Sequence, residues 1–177
     1  MNYETVGIWR DTDRQALHAG VGMVAVSLAQ VTGLNEITAF DCTFGSVRFI
    51  LSYSLKYNGY ATENRVTFRP GRVTPELVVH ELGHIFAIRN LSLITAQSTE
   101  ILSVRTAAFQ PRTQSHPETM PGGELLAEKW AELFQAWVCC SFAQNTYGLT
   151  WYGWVEEHML IWLNEEISPK TRKESNQ

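Results

Sequence analysis

The sequence predicts a single α+β domain: a small mixed or antiparallel sheet, one embedded helix carrying the candidate site, and further helices packed around them. Three observations predict it. The 177 residues suit one domain with a real core. Hydrophobic content of 45% against 18% charged residues is that of a globular chain. Runs with helical period and short β-rich runs share the chain without the regular alternation of a parallel α/β fold.

Tyr3 to Trp9 reads as a first strand. Thr12 with Gln15 fits a capping box, and a helix follows to about Thr32, with Leu17, Val21, Val24, Leu28 and Val31 on one face. Gly20 and Gly22 each cost such a helix about 1 kcal/mol, and Gly33 is a good stop. Ile37 to Thr43 reads as a second strand. Val47 to Tyr57 is β-rich and ends at Asn58-Gly59, a hairpin turn signal, with Tyr60 to Arg69 as its partner. Pro70-Gly71 ends the hairpin. Thr74 caps the next helix, with Pro75 in its first position, running to about Asn90. Within Leu91 to Gly123, Ile101 to Phe109 reads as a strand and Gln110 to Gly123 as an exposed proline-bearing loop. Glu124 to about Ala143 is a helix with apolar Leu126, Trp130, Leu133, Phe134, Trp137 and Val138, and a last helix spans about Trp151 to Glu166. The domain is expected over residues 1–167, with 168–177 a polar, disordered tail.

The net charge of −4, with 14 Lys and Arg, lacks the basic footprint nucleic acid requires. No apolar run is long enough to span a bilayer, and Met1-Asn2-Tyr3-Glu4 does not open a signal peptide, so the cytoplasm is the expected location. Cys42, Cys139 and Cys140 are an odd set that does not read as a disulfide framework. Cys139-Cys140 falls on an apolar helical run, as small buried residues do.

The informative feature is His80-Glu81-Leu82-Gly83-His84. Residues four apart share a helix face, so His80 and His84 can aim two imidazoles at one metal. Glu81 is turned about 100° from His80 and stands where it can reach a water at that metal. That is the arrangement metal-assisted hydrolysis needs. Leu77, Val78, Val79, Ile85 and Phe86 embed the motif in a core, where unpartnered polar groups are costly; the plainer alternative is a structural histidine pair. The third ligand comes from elsewhere. Glu128 and Glu132 share a face of the helix after Gly123: one carboxylate can bind metal and the other accept the outer N–H of a ligating histidine. The alternative is a solvated acidic stripe.

The two motifs together resemble the gluzincins, which join His-Glu-x-x-His on one helix to Glu-x-x-x-Asp or Glu-x-x-x-Glu on a later one. Locally the chain is similar to the catalytic-domain family of anthrax lethal factor, with its His-Glu-x-Gly-His and Ala-Glu-x-x-Ala-Glu-x-Phe-like helix. Here the second element reads Ala127-Glu128-Lys129-Trp130-Ala131-Glu132-Leu133-Phe134. The resemblance implies a zincin-like fold, one Zn²⁺ per chain on His80, His84 and Glu128, Glu81 as general base, and Glu132 as the outer partner of a ligand, His80. It also implies a peptide or protein substrate paired to an antiparallel edge strand, Tyr60 to Arg69 or the strand before it. The chain departs from the pattern at Pro121, where the lethal-factor plan has an oxyanion-stabilising tyrosine. His116 is the candidate donor in its place, with Tyr147 and Tyr152 as alternatives; His18 and His158 are read as non-catalytic.

The expected activity is thus that of a zinc-dependent endopeptidase, with neither nucleic acid nor membrane as partner. Two alternatives stand beside it: a metallopeptidase of the phage-repressor-cleaving type, and a zinc-stabilised binding or assembly module without catalysis. The intact Glu81 counts against the last, because a structural site needs no base.

Overall fold

The computed structural model describes residues 1–110 and 122–174, with 122–124 and 164–174 as backbone alone. Strand β1 (Tyr3–Val6) is shorter than the sequence suggests, because Gly7 turns the chain at φ 97°. Trp9 then folds back into the core, its Nε1 donating to the Val6 carbonyl at 3.1 Å. Helix α1 (Asp11–Thr32) starts ahead of Thr12, so the expected capping box does not form; Arg10 is the N-cap and makes no side-chain cap. Its buried stripe holds Leu17, Gly20, Val21, Val24 and Leu28. A Cβ at Gly20 would lie 2.6 Å from Val78 Cβ, so this mid-helix glycine is what lets a second core helix cross α1 closely.

The expected strand at Ile37 to Thr43 is instead helix α2 (Glu36–Phe44). Asn35 caps it, accepting the Thr38 N–H at 3.0 Å. Its buried residues, Ala39, Phe40, Thr43 and Phe44, follow helical spacing.

Strands β2 (Val47–Leu51), β3 (Gly59–Thr62) and β4 (Arg65–Phe68) complete a mixed sheet of order β1-β2-β4-β3. β1, β2 and β4 are parallel; β3 is the antiparallel edge. Asn58-Gly59 is not the hairpin turn. Gly59 pairs with Phe68, the Asn58 carbonyl accepts the Arg69 N–H at 2.9 Å, and the two-residue turn falls at Glu63-Asn64.

Helix α3 (Pro75–Arg89) opens as the sequence predicts: Thr74 accepts the Leu77 N–H at 3.2 Å and Pro75 occupies the first turn. Helices α4 (Leu91–Ala96) and α5 (Ser98–Ser103) follow. The strand expected at Ile101 to Phe109 is thus α5 plus a 3₁₀ turn at Thr106–Ala108, because its buried residues, Ile101, Val104 and Ala108, do not alternate. Helix α6 (Gly122–Val138) ends before Ala143: Cys140 adopts φ 50° and the Ser141 N–H returns to the Ala136 carbonyl at 2.9 Å, a left-handed cap. Helix α7 (Thr146–Glu174) continues past the expected end at Glu166.

The described residues thus form one α+β domain with seven α-helices and a four-stranded mixed sheet. α3 lies at its centre, packed on α1, α6 and β3. Val78, Val79, Leu82, Ile85, Phe86 and Ala87 are buried around its whole circumference, which is why the helix has no polar face. Phe86 stacks on Trp130 and Phe134 of α6 at centroid distances of 5.5 and 5.9 Å. Among the described residues, no single helix is long and apolar enough to cross a membrane.

Candidate metal centre

Because α3 is buried all round, its polar motif is carried into the core with it. His80 is 7% exposed and Glu81 4%. One helical turn separates His80 from His84, and their Nε2 atoms stand 3.2 Å apart, with the rings at 86°. α6 brings Glu128 over both. Its Oε2 lies 3.3 Å from His80 Nε2 and its Oε1 3.3 Å from His84 Nε2.

The approach of α6 depends on small residues. A Cβ at Gly83 would lie 3.1 Å from Ala131 Cα and 3.2 Å from Phe134 Cβ. Gly83 against Ala131 therefore sets the helix separation at which Glu128, one turn before Ala131, reaches the histidines.

The three groups fit a metal ion. Their ligand atoms all lie within 4.8 Å of one another. Bonds of about 2.0–2.2 Å in a tetrahedral site place neighbouring ligand atoms about 3.3–3.6 Å apart. The two histidine nitrogens, 3.2 Å apart, come close to that spacing, and Glu128 offers each of them a different oxygen at 3.3 Å. Glu128 Oε2, moreover, is a buried acceptor without an aligned hydrogen bond, its histidine neighbour at 3.3 Å notwithstanding.

The electrostatics follow from crowding charge into a dry space. Burial pushes Glu81 up from 4.5 to about 7; His84 pulls it down and the nearby Glu128 charge adds to the rise. Burial alone would raise Glu128, but the His80 and His84 imidazoles hold it well below the usual carboxylate range. Burial lowers His84, yet the Glu128 and Glu81 carboxylates outweigh that and leave it above its ordinary value. The site thus holds two carboxyl groups whose surroundings push their pKa values apart, Glu81 upward and Glu128 downward.

The structure thus brings together His80, Glu81, His84 and Glu128. Glu132 is half-buried one turn further along α6. His116 and Pro121 lie outside the described residues. The alternative oxyanion donors are engaged elsewhere: the Tyr147 hydroxyl donates to the Ser103 carbonyl at 3.3 Å and accepts the Arg105 N–H at 3.2 Å, and Tyr152 donates to Glu156 at 3.0 Å. His18 meets the Tyr3 hydroxyl at 2.5 Å, and His158 stacks on Trp154 with its Nδ1 2.8 Å from the Trp154 carbonyl. Among cysteines, Cys139 is half-buried rather than buried, and Cys140 is exposed. One residue at the site was missed. Gly59 lies directly against Glu81, and its only sequence signal, Asn58-Gly59, pointed to a turn.

No family model, curated protein or solved structure matches the chain.

Proposed function

We propose that the chain is a zinc-dependent endopeptidase of gluzincin type. The observation that supports it most is the convergence of His80, His84 and Glu128, whose ligand atoms lie within 4.8 Å of one another, with the buried Glu81 beside them. Two nitrogens and one carboxylate form a ligand set zinc accepts, leaving a fourth position open. When bound there, zinc supplies the Lewis acidity that polarises a peptide carbonyl and makes water a nucleophile at neutral pH. In the role of base the Glu81 carboxylate would take a proton from the attacking water and return it to the leaving amine. In this reading Glu132, one turn further along α6, would accept the outer N–H of His80 and so fix which nitrogen faces the ion. His116 remains the candidate oxyanion donor.

The test pairs metal content with cleavage. The purified chain should carry about one zinc, and a Glu128→Ala variant should lose it. Glu81→Gln should keep the zinc and lose cleavage of a peptide library by about 10²-fold or more. A wild type that takes up no zinc at neutral pH would sink the proposal. Retained cleavage in Glu81→Gln would remove the base from the mechanism. Zinc without any cleavage would leave a metal-stabilised binding module.

A further inference from the structure

Resting on the reading of Glu81 as the base, we propose that Gly59 of the edge strand is a positioning residue that sets where the Glu81 carboxylate stands. Gly59 is the first residue of β3, in register with Phe68 of β4. Its backbone gives no reason for a glycine. It is not among the glycines of positive φ, which are Gly7, Gly33, Gly45 and Gly71, and an extended strand position accepts any L-residue.

The reason lies on the side facing α3. A Cβ on Gly59 would stand 2.3 Å from Glu81 Oε1, 2.7 Å from its Cδ and 2.9 Å from its Cγ. Non-bonded carbons settle at about 3.5–4.0 Å, so even one methyl group must displace the carboxylate by about 1 Å. The clash reaches back to Cγ, so rotating the carboxylate about its last bond does not relieve it. Nor can the side chain withdraw easily, because Glu81 is 4% exposed and its helix is packed on every side. The missing side chain of the edge strand is therefore the space that the base occupies. A displacement of about 1 Å is enough to cost about 100-fold in a reaction that depends on alignment. The three atoms nearest the added methyl all belong to Glu81, so the carboxylate takes the displacement first.

The experiment is a four-variant cycle on the full chain: wild type, Gly59→Ala, Glu81→Ala and the double variant. Zinc affinity, thermal midpoint and, where cleavage is present, kcat and KM are read for each. Gly59→Ala should keep zinc affinity within a few-fold, lower kcat by about 100-fold with KM little changed, and lower Tm by about 5 °C. In the Glu81→Ala background the same methyl should leave Tm unchanged or raise it, because alanine is better tolerated than glycine in a strand. If Gly59→Ala alone fails to fold, restored folding in the double variant carries the same meaning. An equal effect of the methyl in both backgrounds, on stability or on folding, would overturn the proposal. The stability arm needs no substrate. A chain that cleaves nothing but shows the coupling would end the peptidase reading and leave the Gly59–Glu81 contact standing.

Discussion

Glu81→Gln in the metal-free protein isolates the energetic demand of the site. The side chain is 4% exposed and burial pushes its pKa from 4.5 to about 7. A folded-state pKa above the unfolded one means that the native state holds the proton more tightly. The group therefore burdens stability least below pH 4.5, and the burden grows as pH rises, reaching its full size above about 7. A rise of that size corresponds to about 3 kcal/mol. Glutamine keeps the shape and carries no charge, so it escapes the burden. After chelation, the variant should match the wild type within about 1 kcal/mol at pH 4.5 and exceed it by up to about 3 kcal/mol at pH 8. For a domain of this size that is about 6–12 °C in Tm. Urea unfolding at the two pH values is the assay, with equal m-values required for the comparison. A gap independent of pH, or a variant less stable than the wild type at pH 8, would refute the argument that Glu81 is held in a dry site at the expense of stability. Added zinc should shrink the gap, since a dication near the carboxylate favours its charged form.

Two further outcomes follow from the same geometry. Zinc affinity should fall as pH drops through the histidine range, beginning above 6.5 because His84 is raised from that value, while Glu128 stays ionised; competition with a chromophoric chelator from pH 8 to 5 reads it, and a flat profile would count against histidine ligation. Gly83→Ala should destabilise by about 1–3 kcal/mol and weaken zinc binding together, because its methyl lies 3.1 Å from Ala131 Cα and must push α6 outward; lost stability with unchanged zinc affinity would show that Glu128 does not depend on that helix separation.

What the sequence by itself determined was local. Thr74 and Pro75 mark the start of α3, and the spacing of His80 and His84 puts two imidazoles on one face, because a helix repeats within the segment that forms it. The second element was legible for the same reason: Glu128 and Ala131 recur on the periodic stretch that becomes α6. Short segments were less legible. Ile37 to Thr43 carried a strand-like composition, but the Asn35 cap and the burial of Ala39, Phe40, Thr43 and Phe44 against neighbouring elements made it helical. Tertiary structure alone decided the rest. The sheet order and the edge position of β3 depend on pairings between distant segments. The convergence of Glu128 on the histidines depends on how closely Gly83 and Ala131 let two helices approach. Gly59 is the clearest case. Beside Asn58 it looks like a turn residue, and only the packing of β3 over α3 reveals that its empty side is filled by Glu81, because a steric vacancy belongs to the space between elements and leaves no periodic mark on either one.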